Sequence, residues 1–119
     1  MIIKIDELSR LISDAKEYIK LRNYFQAAAT YEKVAKNLFK IDTKKAIEFF
    51  NLAIKYYLKS AISFHNIAKY EQSAKCYENL GKLYEKWLKN PNIALDYFMT
   101  ATKYRMRSIK DNIEYQNWI

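Results

Sequence analysis

Residues 24–32 read Y-F-Q-A-A-A-T-Y-E, and residues 70–78 read Y-E-Q-S-A-K-C-Y-E. Tyr, Gln, Ala, Tyr and Glu coincide at an offset of 46 residues. Further on, residues 46–56 read A-I-E-F-F-N-L-A-I-K-Y and residues 94–104 read A-L-D-Y-F-M-T-A-T-K-Y, now at an offset of 48. Two matches in the same order mark an internal repeat. The two extra residues of the second copy are assigned to its Asn90-Pro91-Asn92 loop. Small residues (Ala28, Ala74, Ala46, Ala94) alternate with large aromatics (Tyr31, Tyr77, Phe50, Phe98). The small ones let helices approach closely and the aromatics fill the space above and below them, as stacked hairpins sharing one core require.

Helical periodicity extends outward from these stretches. Ile5, Leu8, Leu11, Ile12, Ala15 and Ile19 define a leading helix over residues 4–22. A first hairpin copy spans residues 24–66, with a helix from Tyr24 to Leu38 and another carrying Ala46, Phe50, Ile54, Tyr57, Ala61 and Phe64. Asp42 or Thr43 is placed to cap that second helix, because a short side-chain oxygen satisfies an orphan N–H there. A turn falls at residues 65–69 on one ground only: Tyr24 opens a helix, so its counterpart Tyr70 should open one too. The second hairpin copy spans residues 70–115. Its first helix pairs Glu71/Lys75, Glu78/Lys82 and Glu85/Lys89 on a solvated face, each acid four residues before its base. Pro91 suits the first turn of a last helix reaching at least Lys110. The expected fold is one all-α domain of about five helices, stacked as antiparallel hairpins. One Gly and one Pro in 119 residues leave a hairpin-rich β fold without its turns.

Composition narrows the function. The net charge of +8 admits an anionic partner. Only four of 21 basic residues are Arg, however, and Lys supplies solubility and loose attraction more than planar recognition. The lone Cys76 fits a reducing compartment. The charged N-terminal stretch does not resemble a signal peptide, and no apolar run reaches membrane-spanning length. A cytoplasmic protein is expected.

Chemistry is sparse. His65 is the only histidine, so a His-pair metal site cannot form, and one Cys cannot complete a zinc set. Near a helix C-terminus, His65 complements the helix dipole, and Cys76 reads as a packed thiol. A single Gly excludes glycine-rich phosphate loops. The carboxylates sit on Lys-accompanied faces, without the burial that tunes a catalytic acid. No cofactor is implied, and an enzyme is not expected. On the last helix Lys103, Arg107 and Lys110 share a narrow sector, read either as a solvated face or as an anion-binding stripe. Arg105 falls on the apolar side, where its repeat counterpart is Tyr57. Either the packing surface ends there or Arg105 meets a partner. The tail residues Ile109, Ile113, Trp118 and Ile119 are apolar for an end, and a homodimer or a larger assembly would cover them.

The spacing Ala15-x2-Tyr18-x5-Tyr24-x2-Ala27-x3-Tyr31-x2-Val34, repeated as Ala61-x2-Phe64-x5-Tyr70-x2-Ser73-x3-Tyr77-x2-Leu80, resembles the tetratricopeptide pattern over most of the chain. More narrowly, residues 73–104 resemble soluble NSF-attachment proteins. The resemblance implies an α-solenoid scaffold that binds another protein through a concave face, with no binding residue carried over from either family. A non-catalytic adaptor is therefore the first reading. A basic helical nucleic-acid-binding protein, using Lys103, Arg105, Arg107 and Lys110, is the alternative.

Overall fold

A computed structural model of the chain describes residues 5–118 and is helical almost throughout, with no strand among them. Five helices follow one another: α1 (Ile5–Lys20), α2 (Tyr24–Leu38), α3 (Thr43–Asn66), α4 (Tyr70–Lys86) and α5 (Pro91–Trp118). The all-α expectation is met. The start of the leading helix at residue 4 and the tail residue Ile119 lie outside the described residues. No helix among those described is long and apolar enough to cross a membrane. The chain divides into two compact units, one ending at Lys59 and the other beginning at Ser60, so the boundary falls within α3.

In the first unit α1 packs on α2. Small side chains make this approach close: Ala15, Ala27, Ala28 and Ala35 are wholly buried, and so are Ala46 and Ala53 on α3. The turn from α1 to α2 needs one residue in the left-handed region, and Arg22 takes it at φ 59°. Its neighbours' amides close back on the helix end, with Asn23 N–H donating to the Tyr18 carbonyl over 2.8 Å. Asn23 then caps α2, its side chain accepting from Gln26 N–H. At the other end of α2, the Asp42 carboxylate caps α3 by accepting from Lys45 N–H at 3.1 Å. Of the two expected capping residues, Asp42 takes the role.

The second unit repeats the turn and the second cap, whereas Lys69, in the place of Asn23, makes no side-chain cap. The turn before α4 places Ala68 at φ 58°, and Lys69 N–H donates to the Phe64 carbonyl, again over 2.8 Å. Asn90 caps α5 through Ile93 N–H as Asp42 caps α3. Ser73 stands where Ala27 stands in the first unit; it is fully buried, and its hydroxyl donates to the Ala61 carbonyl at 2.8 Å. The Cys76 thiol is packed as expected, 3.5 Å from the Ser60 hydroxyl.

One assignment is corrected. Four residues separate α2 from α3, and four separate α4 from α5. The two extra residues of the second copy lie in α4, which has 17 residues against 15 in α2. The Asn-Pro-Asn segment is no longer than its counterpart; it is conspicuous only because Pro91 occupies the first helical position.

At Gly81 the α4 backbone lies against the Phe98 ring of α5. A Cβ there would lie 2.6 Å from the Phe98 ring. Alanine would gain about 1 kcal/mol of helix propensity over glycine, against an overpacking cost of about 1–3 kcal/mol. Gly81→Ala should therefore destabilise the protein by about 1 kcal/mol in urea unfolding, by the difference of those two terms. In a Phe98→Leu background, where the ring is gone, the same substitution should be neutral or stabilising. An equal loss in both backgrounds would refute the Phe98 contact as the cause.

Candidate functional site

The tyrosines form two ladders related by the repeat. In the first unit Tyr31 stacks between Phe49 and Tyr56, and Tyr56 continues to Tyr24, each step with ring centroids 6.0 Å apart. In the second, Tyr77 stacks between Tyr97 and Tyr104, and Tyr104 continues to Tyr70. Position by position these are the same rungs, since 46 residues separate the α2 and α4 members and 48 the α3 and α5 members. Burial raises the phenol pKa of Tyr31, Tyr77 and Tyr97, with neighbouring tyrosines adding to the effect.

A cation closes each ladder. Lys59 Nζ lies 5.2 Å from the centre of the Tyr24 ring, and the Arg107 guanidinium lies 4.9 Å from that of Tyr70. These distances are within the range of cation–π attraction. One turn earlier each helix carries a second cation, Lys55 over Tyr56 in α3 and Lys103 beside Tyr104 in α5. In the second unit the arrangement encloses an open cleft of about 270 Å³ lined by His65, Tyr70, Lys103, Tyr104 and Arg107. His65 Nδ1 is hydrogen-bonded to the Tyr104 hydroxyl at 2.8 Å, and its ring meets Tyr70 and Tyr104 edge-on. Among the described residues Lys103 makes no ion pair, and the only carboxylate near Arg107 is Asp111 of its own helix, at 3.5 Å. The cleft thus has an aromatic floor, two cations on its rim and room for an anionic side chain.

The structure separates the four basic residues singled out from the sequence. Lys103 and Arg107 come together at the cleft. Lys110 is exposed and not among its lining residues. Arg105 turns to α4, where it bridges Glu78 at 2.6 Å and Glu71 at 3.2 Å. The repeat explains this choice. Tyr57, its counterpart, donates to Glu32 at 2.6 Å, and Glu32 is the counterpart of Glu78. Each glutamate also pairs with a lysine four residues on, Lys36 and Lys82. His65, Tyr70 and Tyr104 were not recognised as site residues from the sequence. The repeat register carried the available signal, because His65 near the end of α3 stands where α1 has Ile19.

No group of His, Cys, Asp and Glu among the described residues is arranged to hold a metal ion. Burial raises the Cys76 thiol pKa, which disfavours the reactive thiolate. Compared with protein families, curated proteins and solved structures, the chain has no significant match.

Hydrogen bonds from Arg105, and next from Lys82, hold the Glu78 carboxyl below its ordinary value of 4.5. Because folded Glu78 takes up its proton less readily than the unfolded chain, it contributes stability above that ordinary value. The contribution is lost as pH falls through the depressed one. Glu78→Gln should cost about 1 kcal/mol at pH 7, the upper end for a partly exposed pair, and should flatten the loss of stability below pH 4.5. Urea titrations of both proteins from neutral to acid pH measure the difference. Parallel stability curves would refute the role of the pair.

Proposed function

We propose that the chain is a non-catalytic, tetratricopeptide-like protein-interaction adaptor, and that the α4–α5 cleft binds an acidic segment of its partner. The observation that carries this reading is the cleft itself. Lys103 and Arg107 line the cleft beside Tyr70 and Tyr104, where a glutamate could place its carboxylate between the cations. Its near-duplicate in the first unit, Lys55 and Lys59 over Tyr24 and Tyr56, shows that the arrangement belongs to the repeat and is not an accident of one helix. The Cys76 thiol is buried against Ser60, and the exposed His65 ring is hydrogen-bonded to the Tyr104 hydroxyl.

The nucleic-acid alternative draws on the net charge of +8 and on the same cation pair. The ring faces weigh against it. Base stacking needs an open aromatic face. Arg107 covers one face of Tyr70, and Tyr104 is stacked on Tyr77 with His65 and Tyr70 on its other sides.

The test is an NMR titration with three probes: a capped poly-glutamate peptide, its poly-glutamine control and single-stranded oligonucleotide. Poly-glutamate should shift the His65, Tyr70 and Tyr104 resonances, and poly-glutamine should not. Lys103→Gln with Arg107→Gln should weaken the peptide about tenfold, the worth of two partly exposed ion pairs. Tighter binding of the oligonucleotide at the same residues would replace this reading with the nucleic-acid one.

A further inference from the structure

Helix α5 carries two apolar faces. One, with Ala94 and Ala101, is buried in the second unit. The other consists of Leu95, Met99, Met106, Ile109 and Ile113, each more than half exposed. Together with Thr102 these residues recur at alternating intervals of four and three along the helix, the seam pattern of paired helices. Thr102 does not interrupt it: its hydroxyl already donates to the Phe98 carbonyl at 3.0 Å, which leaves its methyl for the seam. In the repeat the middle of this side is covered and its ends are not: Leu58, the α3 counterpart of Met106, is half-buried, whereas Ile47, Asn51 and His65, those of Leu95, Met99 and Ile113, are exposed. The α3 counterparts of Thr102 and Ile109 are Ile54 and Ala61, which are 9% and 0% exposed. A contiguous apolar stripe left in water on a folded chain marks a contact surface.

We infer that a second copy of this chain covers the stripe, its α5 running antiparallel. In an antiparallel seam the two positions of each layer alternate between helices. Centring the pair near residue 104 sets Leu95 against Ile113 of the other copy, Met99 against Ile109 and Thr102 against Met106, and the two-fold axis repeats each layer. Every layer is then apolar. Charge fits the same register. Asp96 and Lys110 flank the stripe on one side, and neither has an ion-pair partner among the described residues. The antiparallel arrangement brings Asp96 of each copy to Lys110 of the other, which makes two intermolecular pairs, whereas a parallel one sets Asp96 near Pro91 and Lys110 near Arg105 of the other copy, with no opposite charges paired. Lys103, on the same side of the stripe and nearest the axis, meets its own counterpart there, one like-charge contact against the two opposite-charge pairs. The inference is independent of what the cleft binds, because the stripe and the cleft use different residues.

Sedimentation equilibrium of the full chain over a wide concentration range tests the pairing. The mass should rise from 14.3 kDa toward twice that value, and Ile109→Glu, at an exposed position that does not support the fold, should return it to the monomer. Asp96→Lys should weaken the dimer, and adding Lys110→Asp should restore it. A Thr102→Cys/Met106→Cys chain, oxidised and digested, should link residue 102 to residue 106 of the other copy. A mass fixed at 14.3 kDa would overturn the inference and leave the stripe to a different chain. So would a dimer indifferent to Ile109→Glu, a charge swap without rescue, or like-to-like disulfides. Poly-glutamate titration of the Ile109→Glu monomer keeps this result separate from the cleft.

Discussion

Each unit rests on helices brought close by side chains that are nearly absent. Ala28 and Ala74, Ala35 and Gly81, Ala46 and Ala94, and Ala53 and Ala101 occupy equivalent positions and are all buried. A larger residue at any of them would push two helices apart. The separation they set allows an aromatic on one helix to reach an aromatic on the next, so the tyrosine ladders follow from the small residues. The second copy shows how tight this is. Where the first unit has Ala35, the second has its only glycine, and the Phe98 ring fills the space a methyl would take.

Because the ladders are regular, whatever stands at their ends is placed with the same regularity. The helix that follows each ladder carries a cation one turn beyond the last rung, Lys59 or Arg107, and another one turn before it, Lys55 or Lys103. On the aromatic faces a cation gains some attraction; among the described residues Lys55, Lys59 and Lys103 have no ion-pair partner, and Arg107 has only Asp111 of its own helix, at 3.5 Å. Such a cation remains available to an anion from outside. Glu32 is engaged by Lys36 and Tyr57, and Glu78 by Lys82 and Arg105.

The fold was largely legible in the sequence, because apolar periodicity and internal repetition report on backbone period and helix packing directly. The turn before Tyr70 is instructive. No glycine or proline announces it, and the left-handed residue is an alanine, yet the repeat placed it correctly. The two extra residues were assigned to a loop because Asn-Pro-Asn looks like one, whereas a helix can lengthen without any compositional sign. The cleft was half legible. Lys103 and Arg107 stand out on a helical projection, but His65, Tyr70 and Tyr104 come to them from three helices. Their convergence depends on side-chain reach across elements, which no local pattern encodes.

Arg105 shows how exposure decides which residue a repeat can use at one position. Both Glu32 and Glu78 present a carboxylate to the following helix, and a donor must meet it. At Tyr57 the site is 2% exposed, and a guanidinium there would lose its hydration for a single shared carboxylate. A phenol satisfies Glu32 without carrying charge inward. At Arg105 the side chain remains 36% exposed, so the charge keeps part of its water while gaining two carboxylates, Glu78 and Glu71. The exchange of Tyr for Arg therefore marks where the covered surface of the repeat gives way to an open one. On α5 that open surface begins beside the same turn that carries Thr102, Met106 and Ile109. A residue that looks misplaced against the apolar pattern is thus the consistent choice for the boundary it occupies.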